Sequence, residues 1–240
     1  TFEDALAAAE RIGHQPGHLL IADQAGSDGP AVALDILAGY SVLADEIATA
    51  MAAAPPTHVF VAAGNGSLAA ATVHRFANGA APPKIISVEP RRSDAVRQSI
   101  AAGTPATIAP GASVMDGLVT GSPSRIAWPI LRAGLTASLA IEDENAVDAL
   151  RRLAAGAWGD PALEVGETGV AAVAGLVAAS TSEPFRSQLG ITGDSRLVAI
   201  VCEGVTDREV FDHLVGRPAP PPAPEISSFS TQGMHDESQH

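Results

Sequence analysis

Four stretches of this sequence bring together residues that could do chemistry. Gly64-Asn65-Gly66-Ser67, running on to Leu68, follows the apolar run His58-Val59-Phe60-Val61-Ala62. Glycines let a chain turn sharply and bring its amides close to a ligand. A helix starting at Ser67 would add unpaired N–H groups and a positive dipole end, a combination that suits a phosphate. The Ser67 hydroxyl can donate to the ligand or cap the helix. The same residues also make an ordinary strand-to-helix turn. They are not a Walker motif, and the third glycine of a dinucleotide fingerprint is replaced by Ala69. Asp23 directly follows the run His18-Leu19-Leu20-Ile21-Ala22, and Asp28 lies in the same Gly/Ser-rich stretch. A carboxylate just past a strand end can act as a base or orient an amino group, and it can equally make a local Asx-turn. Gly166-Glu167-Thr168-Gly169 reads as either a second ligand loop or a capped helix start. Cys202 ends the apolar run 197–201, at a ligand edge or as a small buried hydrophobe.

Other chemistries find no support. His14 and His18 are four apart, but Pro16-Gly17 between them breaks any helix that would align their rings. There is no H-E-x-x-H and no G-x-S-x-G, and the single cysteine excludes an intrachain disulfide. No metal site is expected.

These residues need a scaffold that ends strands where they stand. Leu34, Leu37, Tyr40, Leu43, Ile47 and Met51 recur at three- and four-residue steps, predicting an amphipathic helix over 30–51. Continuous apolar runs at 58–62, 84–88 and 197–201 predict buried parallel strands; the short run 18–22 predicts a buried strand entering a loop, and 139–141 a weaker strand. Helices are expected at 68–76, 93–101, 126–133, 145–155 and 170–180. Thr206 and Glu209 have capping-box spacing for a last helix. Residues 103–121 read as an ordered loop with one helical turn. The alternation implies an α/β fold with a doubly wound, mostly parallel sheet. Residues 1–216 form that unit, and the Pro-rich stretch 217–240 reads as a disordered tail.

Composition narrows the partners. The chain has 240 residues, is 46% hydrophobic and 17% charged, and carries a formal net charge of −13. So acidic a surface, with no basic stripe, is repelled by nucleic acid and by anionic membranes. The longest apolar stretch, near 170–179, is well short of the roughly 18 residues a membrane span needs. The lone cysteine fits a reducing cytosol.

Read in order, six blocks resemble the diaminopropionate ammonia-lyases, a family of fold-type-II, tryptophan-synthase-β-like enzymes dependent on pyridoxal 5'-phosphate. They are residues 37–46, the run Thr57 to Ala69, Ile86-Ser87-Val88-Glu89-Pro90, Met115-Asp116-Gly117-Leu118, Gly166-Glu167-Thr168-Gly169, and Cys202-Glu203-Gly204 with Thr206-Asp207. The resemblance implies that Gly64, Asn65, Gly66, Ser67 and Leu68 bind the cofactor phosphate through backbone amides, with Asn65 in place of a small apolar residue. It implies that Asp23 helps substrate binding and proton transfer, that Gly166 to Gly169, Gly166 and Glu167 foremost, border the cofactor ring, and that Cys202 lies near the pyridine nitrogen. The implied reaction is elimination from 2,3-diaminopropionate to give pyruvate and ammonia, in a cytoplasmic homodimer acting on a small amino acid.

Such chemistry needs a lysine that forms a Schiff base with the cofactor. Lys84, the single lysine, opens a strand and does not match the family's position, which belongs to a segment before Thr1. The chain is therefore expected to be an N-terminally truncated piece, inactive alone. A threonine or serine dehydratase, or a threonine synthase, shares the fold and loop. A non-catalytic ligand-binding or dimerisation remnant is the alternative outside enzymes. A nicotinamide-binding domain would use Glu89, near the distance from the glycine loop expected of a ribose-binding acid.

Overall fold

A computed structural model of the chain describes residues 2–18, 20–21, 31–77, 79 and 81–217. Four strands form one sheet: β1 (His58–Ala62), β2 (Lys84–Pro90), β3 (Ala137–Ile141) and β4 (Leu197–Ile200). Their order is β3-β2-β1-β4, and every neighbouring pair is parallel. Parallel pairing requires a crossover between strands, and helices supply each one. The helices are α1 (Phe2–Gly13), α2 (Ala31–Ala50), α3 (Ser67–Phe76), α4 (Ala95–Ala102), α5 (Ala127–Gly134), α6 (Asp143–Ala154), α7 (Ala171–Thr181), α8 (Glu183–Leu189) and α9 (Arg208–Val215).

Strand side chains alternate between faces, so each strand feeds two cores. Val59, Val61 and Ile85 join α2, α3 and α5 on one face, with Leu37, Val73 and Leu131. Phe60, Ala62, Ile86 and Val88 join α6, α7 and α9 on the other, with Leu150, Val170 and Phe211. Helices cover both faces, which is why β1 and β2 are buried almost throughout and read as unbroken apolar runs. Gly175 lets α7 lie close against β2: a Cβ there would sit 2.5 Å from Val88 Cγ2.

Several expectations need correction. His18, Leu20 and Ile21 are not in a strand, and Ile21 is 69% exposed; the rest of that run, with Asp23 and Asp28, lies outside the described residues. The buried stripe of α2 is Ala33, Leu37 and Ala44, while Leu34 and Tyr40 are exposed. Leu43 and Ile47, half-buried, pack against the same core. The cap of α9 is Asp207, whose carboxylate accepts the N–H groups of Glu209 and Val210, rather than Thr206. Glu89 and Pro90 belong to β2, paired with Ala140 and Ile141. Helices α1 and α8 are additional to those expected. The stretch 218–240 lies outside the described residues.

Candidate functional site

From β1 the chain moves to β2 and then β3 on one side, whereas β4 pairs on the other side of β1. The sheet therefore reverses direction between β1 and β4. At such a switch point the loops leaving adjacent strands diverge and open a crevice at their C-terminal ends. A cleft of about 560 Å³ lies there, within the range typical of small-molecule sites. Its walls come from the residues after β1 (Gly64 to Leu68), the segment Asp116 to Thr120, Thr168, Cys202 with Glu203 after β4, and Tyr40 of α2.

The glycine loop is built for close approach. Gly66, at φ 87°, is the N-cap of α3. A Cβ there would lie 2.6 Å from Leu131 Cδ1 and force a left-handed backbone on an L residue. The first intrahelical bond joins Ala70 N–H to the Gly66 carbonyl at 2.8 Å. The amides of Leu68 and Ala69 therefore have no acceptor within the helix, and they stand at its positive end. The Ser67 N–H donates to Asn65 Oδ1 at 3.0 Å. The Asn65 carbonyl accepts from Ser124 N–H at 2.8 Å, which fixes the loop to the start of α5.

Three further segments are tied together around the cleft. Gly117 N–H donates to Thr168 Oγ1 at 3.1 Å. Gly166 N–H donates to the Glu203 carbonyl at 3.1 Å, and Gly169 N–H to Glu203 Oε2 at 2.9 Å. A Cβ on Gly166 would meet the Gly204 carbonyl at 2.5 Å. Gly166 thus supports the loop, and Thr168 is its member in the cleft wall. Glu167 is outside that wall; its Oε2 is buried with no hydrogen-bond partner among the described residues. Cys202 is exposed as a residue, yet partial burial of its sulfur, and then the Glu203 charge, raises the thiol pKa.

Two buried polar groups near the cleft differ in how they are satisfied. Glu89 is fully buried and accepts Val96 N–H and Arg97 N–H at 2.8 Å each and Ser138 Oγ–H at 3.0 Å. Burial pushes its pKa up to about 8 against the pull of those donors, and the Asp94 charge adds to the rise. It caps α4 from the end of β2, so it is not available to a ribose. Thr120 is 5% exposed, and its Oγ1 has no partner among the described residues. Its backbone is held by Ser93, whose Oγ accepts Thr120 N–H and donates to the Thr120 carbonyl, both at 2.9 Å.

Lys84 opens β2, at the opposite end of the sheet from the cleft, and its Nζ donates to the Leu189 carbonyl. Six residue steps along β2 amount to about 20 Å. Sequence reasoning missed Tyr40, Asp116, Glu203 and Thr120 as cleft residues; Thr168 belongs to the loop Gly166 to Gly169 that it did single out. All but Thr120 fall within the six family-like blocks; Thr120 follows one by two residues and has no signal of its own. No cluster of His, Cys, Asp and Glu fit for a metal occurs among the described residues, and no described helix is long and apolar enough to cross a membrane.

An open parallel α/β sheet, with a glycine-turned helix N-terminus at its switch point, has the geometry that suits a phosphorylated small molecule. Relatives narrow the class. The sequence model of the family described as pyridoxal-phosphate dependent enzyme matches residues 1–203, and the chain belongs to that family. Diaminopropionate ammonia-lyase of Escherichia coli (strain K12) is 28% identical over 223 residues, spanning 89% of this chain and 56% of the relative. The enzyme of that name from Salmonella typhimurium (strain LT2) is 28% identical over 226 residues. The crystal structure of the E. coli enzyme with an aminoacrylate-PLP azomethine reaction intermediate superposes with a TM-score of 0.82 at 26% identity, covering 90% of this chain and 57% of that one. The processed form of threonine deaminase isoform 2 from Solanum lycopersicum, at 18% identity and a TM-score of 0.72, shares the fold. The chain thus spans just over half the length of the curated relatives it matches.

Proposed function

We propose that this chain forms the phosphate-binding part of a diaminopropionate ammonia-lyase, which eliminates the β-amino group of 2,3-diaminopropionate and yields pyruvate and ammonia. The observation that carries the reading is the cleft at the β1/β4 switch point, where the glycine loop faces Asp116 to Thr120 and Cys202. Pyridoxal 5'-phosphate fits this cleft by two features: amides of the first turn of α3, and glycines that admit a close ligand. When bound, that cofactor supplies an electron sink that stabilises charge at the substrate α-carbon as its proton leaves.

The chain's own groups have simpler tasks. The amides of Gly66, Ser67, Leu68 and Ala69 would hold the phosphate by charge-assisted hydrogen bonds. Cys202 would serve the cofactor's ring nitrogen, and its raised thiol pKa keeps it a neutral hydrogen-bonding partner. Gly166 and Glu167 support the segment bordering the ring. Asp116 and Glu203 bring carboxylates to the cleft wall, which suits a substrate with two amino groups. Asp23 orients the substrate and moves a proton at its β-amino group. A lysine from outside these 240 residues holds the cofactor, since Lys84 is at the far end of β2. The working enzyme is a cytoplasmic homodimer.

The test is turnover by the full-length protein with 2,3-diaminopropionate, threonine and serine as separate substrates, following pyruvate or other keto acid together with ammonia. Diaminopropionate is expected to give the highest kcat/KM. Turnover of threonine or serine alone would reassign the chain to the dehydratases. Borohydride reduction with the cofactor bound, followed by peptide mapping, is expected to mark a lysine other than Lys84; label on Lys84 would refute the placement.

A further inference from the structure

Asn65 stands at the centre of the glycine loop, 9% exposed, in the cleft wall. Its Oδ1 accepts the Ser67 N–H at 3.0 Å. Ser67 is the first residue of α3, so this amide is one of the three at the helix start that precede the first intrahelical bond. An apolar side chain at position 65 has no atom that could take that bond. The Asn65 main chain is held independently, through its carbonyl and Ser124 N–H at 2.8 Å. Thr120 lines the same cleft, 5% exposed, and its buried Oγ1 has no partner among the described residues.

We infer that the Asn65 carboxamide is a built-in competitor for the phosphate group, satisfying the Ser67 amide when the site is empty and giving way when phosphate binds. Asn65 thereby sets how tightly the phosphate is held. The inference rests on the cofactor reading above and deepens it. Breaking one neutral hydrogen bond of this kind costs the incoming phosphate about 0.5–1.5 kcal/mol, equivalent to about a twofold to tenfold loss of affinity. Nothing in the exchange touches the ring-binding side of the cleft, so the effect belongs to phosphate alone.

The experiment uses the full-length protein stripped of cofactor, with inorganic phosphate, pyridoxal 5'-phosphate and unphosphorylated pyridoxal as probes. Asn65→Val is expected to bind inorganic phosphate and pyridoxal 5'-phosphate about twofold to tenfold more tightly and pyridoxal unchanged. Its ligand-free melting temperature is expected to fall, because the Ser67 amide loses its partner. A side chain that merely ordered the loop would lower phosphate affinity and melting temperature together, and that result overturns the inference. Asn65→Asp keeps the acceptor and adds a negative charge, so it should weaken phosphate binding and leave pyridoxal binding alone. Unchanged phosphate affinity in Asn65→Asp overturns the inference even if the valine variant does not fold. If wild-type protein binds none of the three probes, the cofactor reading itself fails. Wild-type binding with an unresponsive position 65 removes only the competitor role.

Discussion

Replacing Glu89 by glutamine tests whether burial or hydrogen bonding decides the charge of this buried carboxyl group near the cleft. Burial favours the neutral acid, whereas Val96 N–H, Arg97 N–H and Ser138 Oγ–H favour the anion. The balance lifts the pKa from 4.5 to about 8, a difference worth about 5 kcal/mol. The folded state thus keeps a proton that the unfolded chain releases above its ordinary carboxyl pKa. Stability is highest at acid pH within this window, falls as pH rises from about 4.5 to about 8, and is flat beyond.

Glutamine has no such titration, but its amide group cannot accept the Arg97 N–H as Oε2 does. That mismatch costs about 1–3 kcal/mol at every pH. Wild type should therefore be the more stable protein near pH 5, and Glu89→Gln the more stable above pH 8. Urea unfolding of both full-length proteins across that range, analysed by linear extrapolation, measures the crossover. A wild-type stability that rises with pH, or runs parallel to the variant, would show that the N-terminal amides of α4 outweigh burial and hold Glu89 ionised. The effect should reach the glycine loop. Val96, the first residue capped by Glu89, lies 3.4 Å from the position a Cβ on Gly66 would take.

Three other substitutions bear on the site and its frame. Gly66→Ala combines left-handed strain of about 1–2 kcal/mol with a clash against Leu131 worth about 1–3 kcal/mol. Denaturant unfolding should show a loss of about 2 kcal/mol or more, together with weaker phosphate binding. Thr120→Val removes a buried hydroxyl without a partner, so the ligand-free protein should gain about 1 kcal/mol, read as a higher melting temperature. A loss of similar size would mean that the hydroxyl is already satisfied. Asp207→Ala deletes a cap that accepts two amides at 3.0 Å and should cost about 1 kcal/mol, with Asp207→Asn recovering most of it in the same unfolding assay.

Sequence alone was enough for the scaffold. The runs 58–62 and 84–88 read as strands buried on both faces, because Val, Ile and Phe stand at consecutive positions and each face needs its own apolar layer. The run 197–201 also gives a strand, over Leu197–Ile200, but only Ile200 of it is fully buried. The glycine loop was also legible, since Gly-Asn-Gly-Ser between a buried strand and a run of small residues leaves the chain little choice but a tight turn into a helix. Local caps were less so: Thr206 has the spacing of a capping residue, but Asp207 is the one whose oxygen reaches the two amides.

The tertiary structure decided what faces the loop. Tyr40 fits the periodicity of the α2 core, yet α2 packs on α3 through Ala33, Leu37 and Ala44, and that rotation leaves Tyr40 in the cleft. Thr120 and Thr168 come from segments about 50 and 100 residues beyond Gly66, and no local signal ties such positions together. Glu89 stands in sequence where a ribose-binding acid would, but packing buries it completely and turns it to the amides of α4. Short-range steric rules and apolar periodicity fix strands, helices and turns residue by residue. Which of their side chains meet depends on the order β3-β2-β1-β4, and that order is set by how two cores share one sheet.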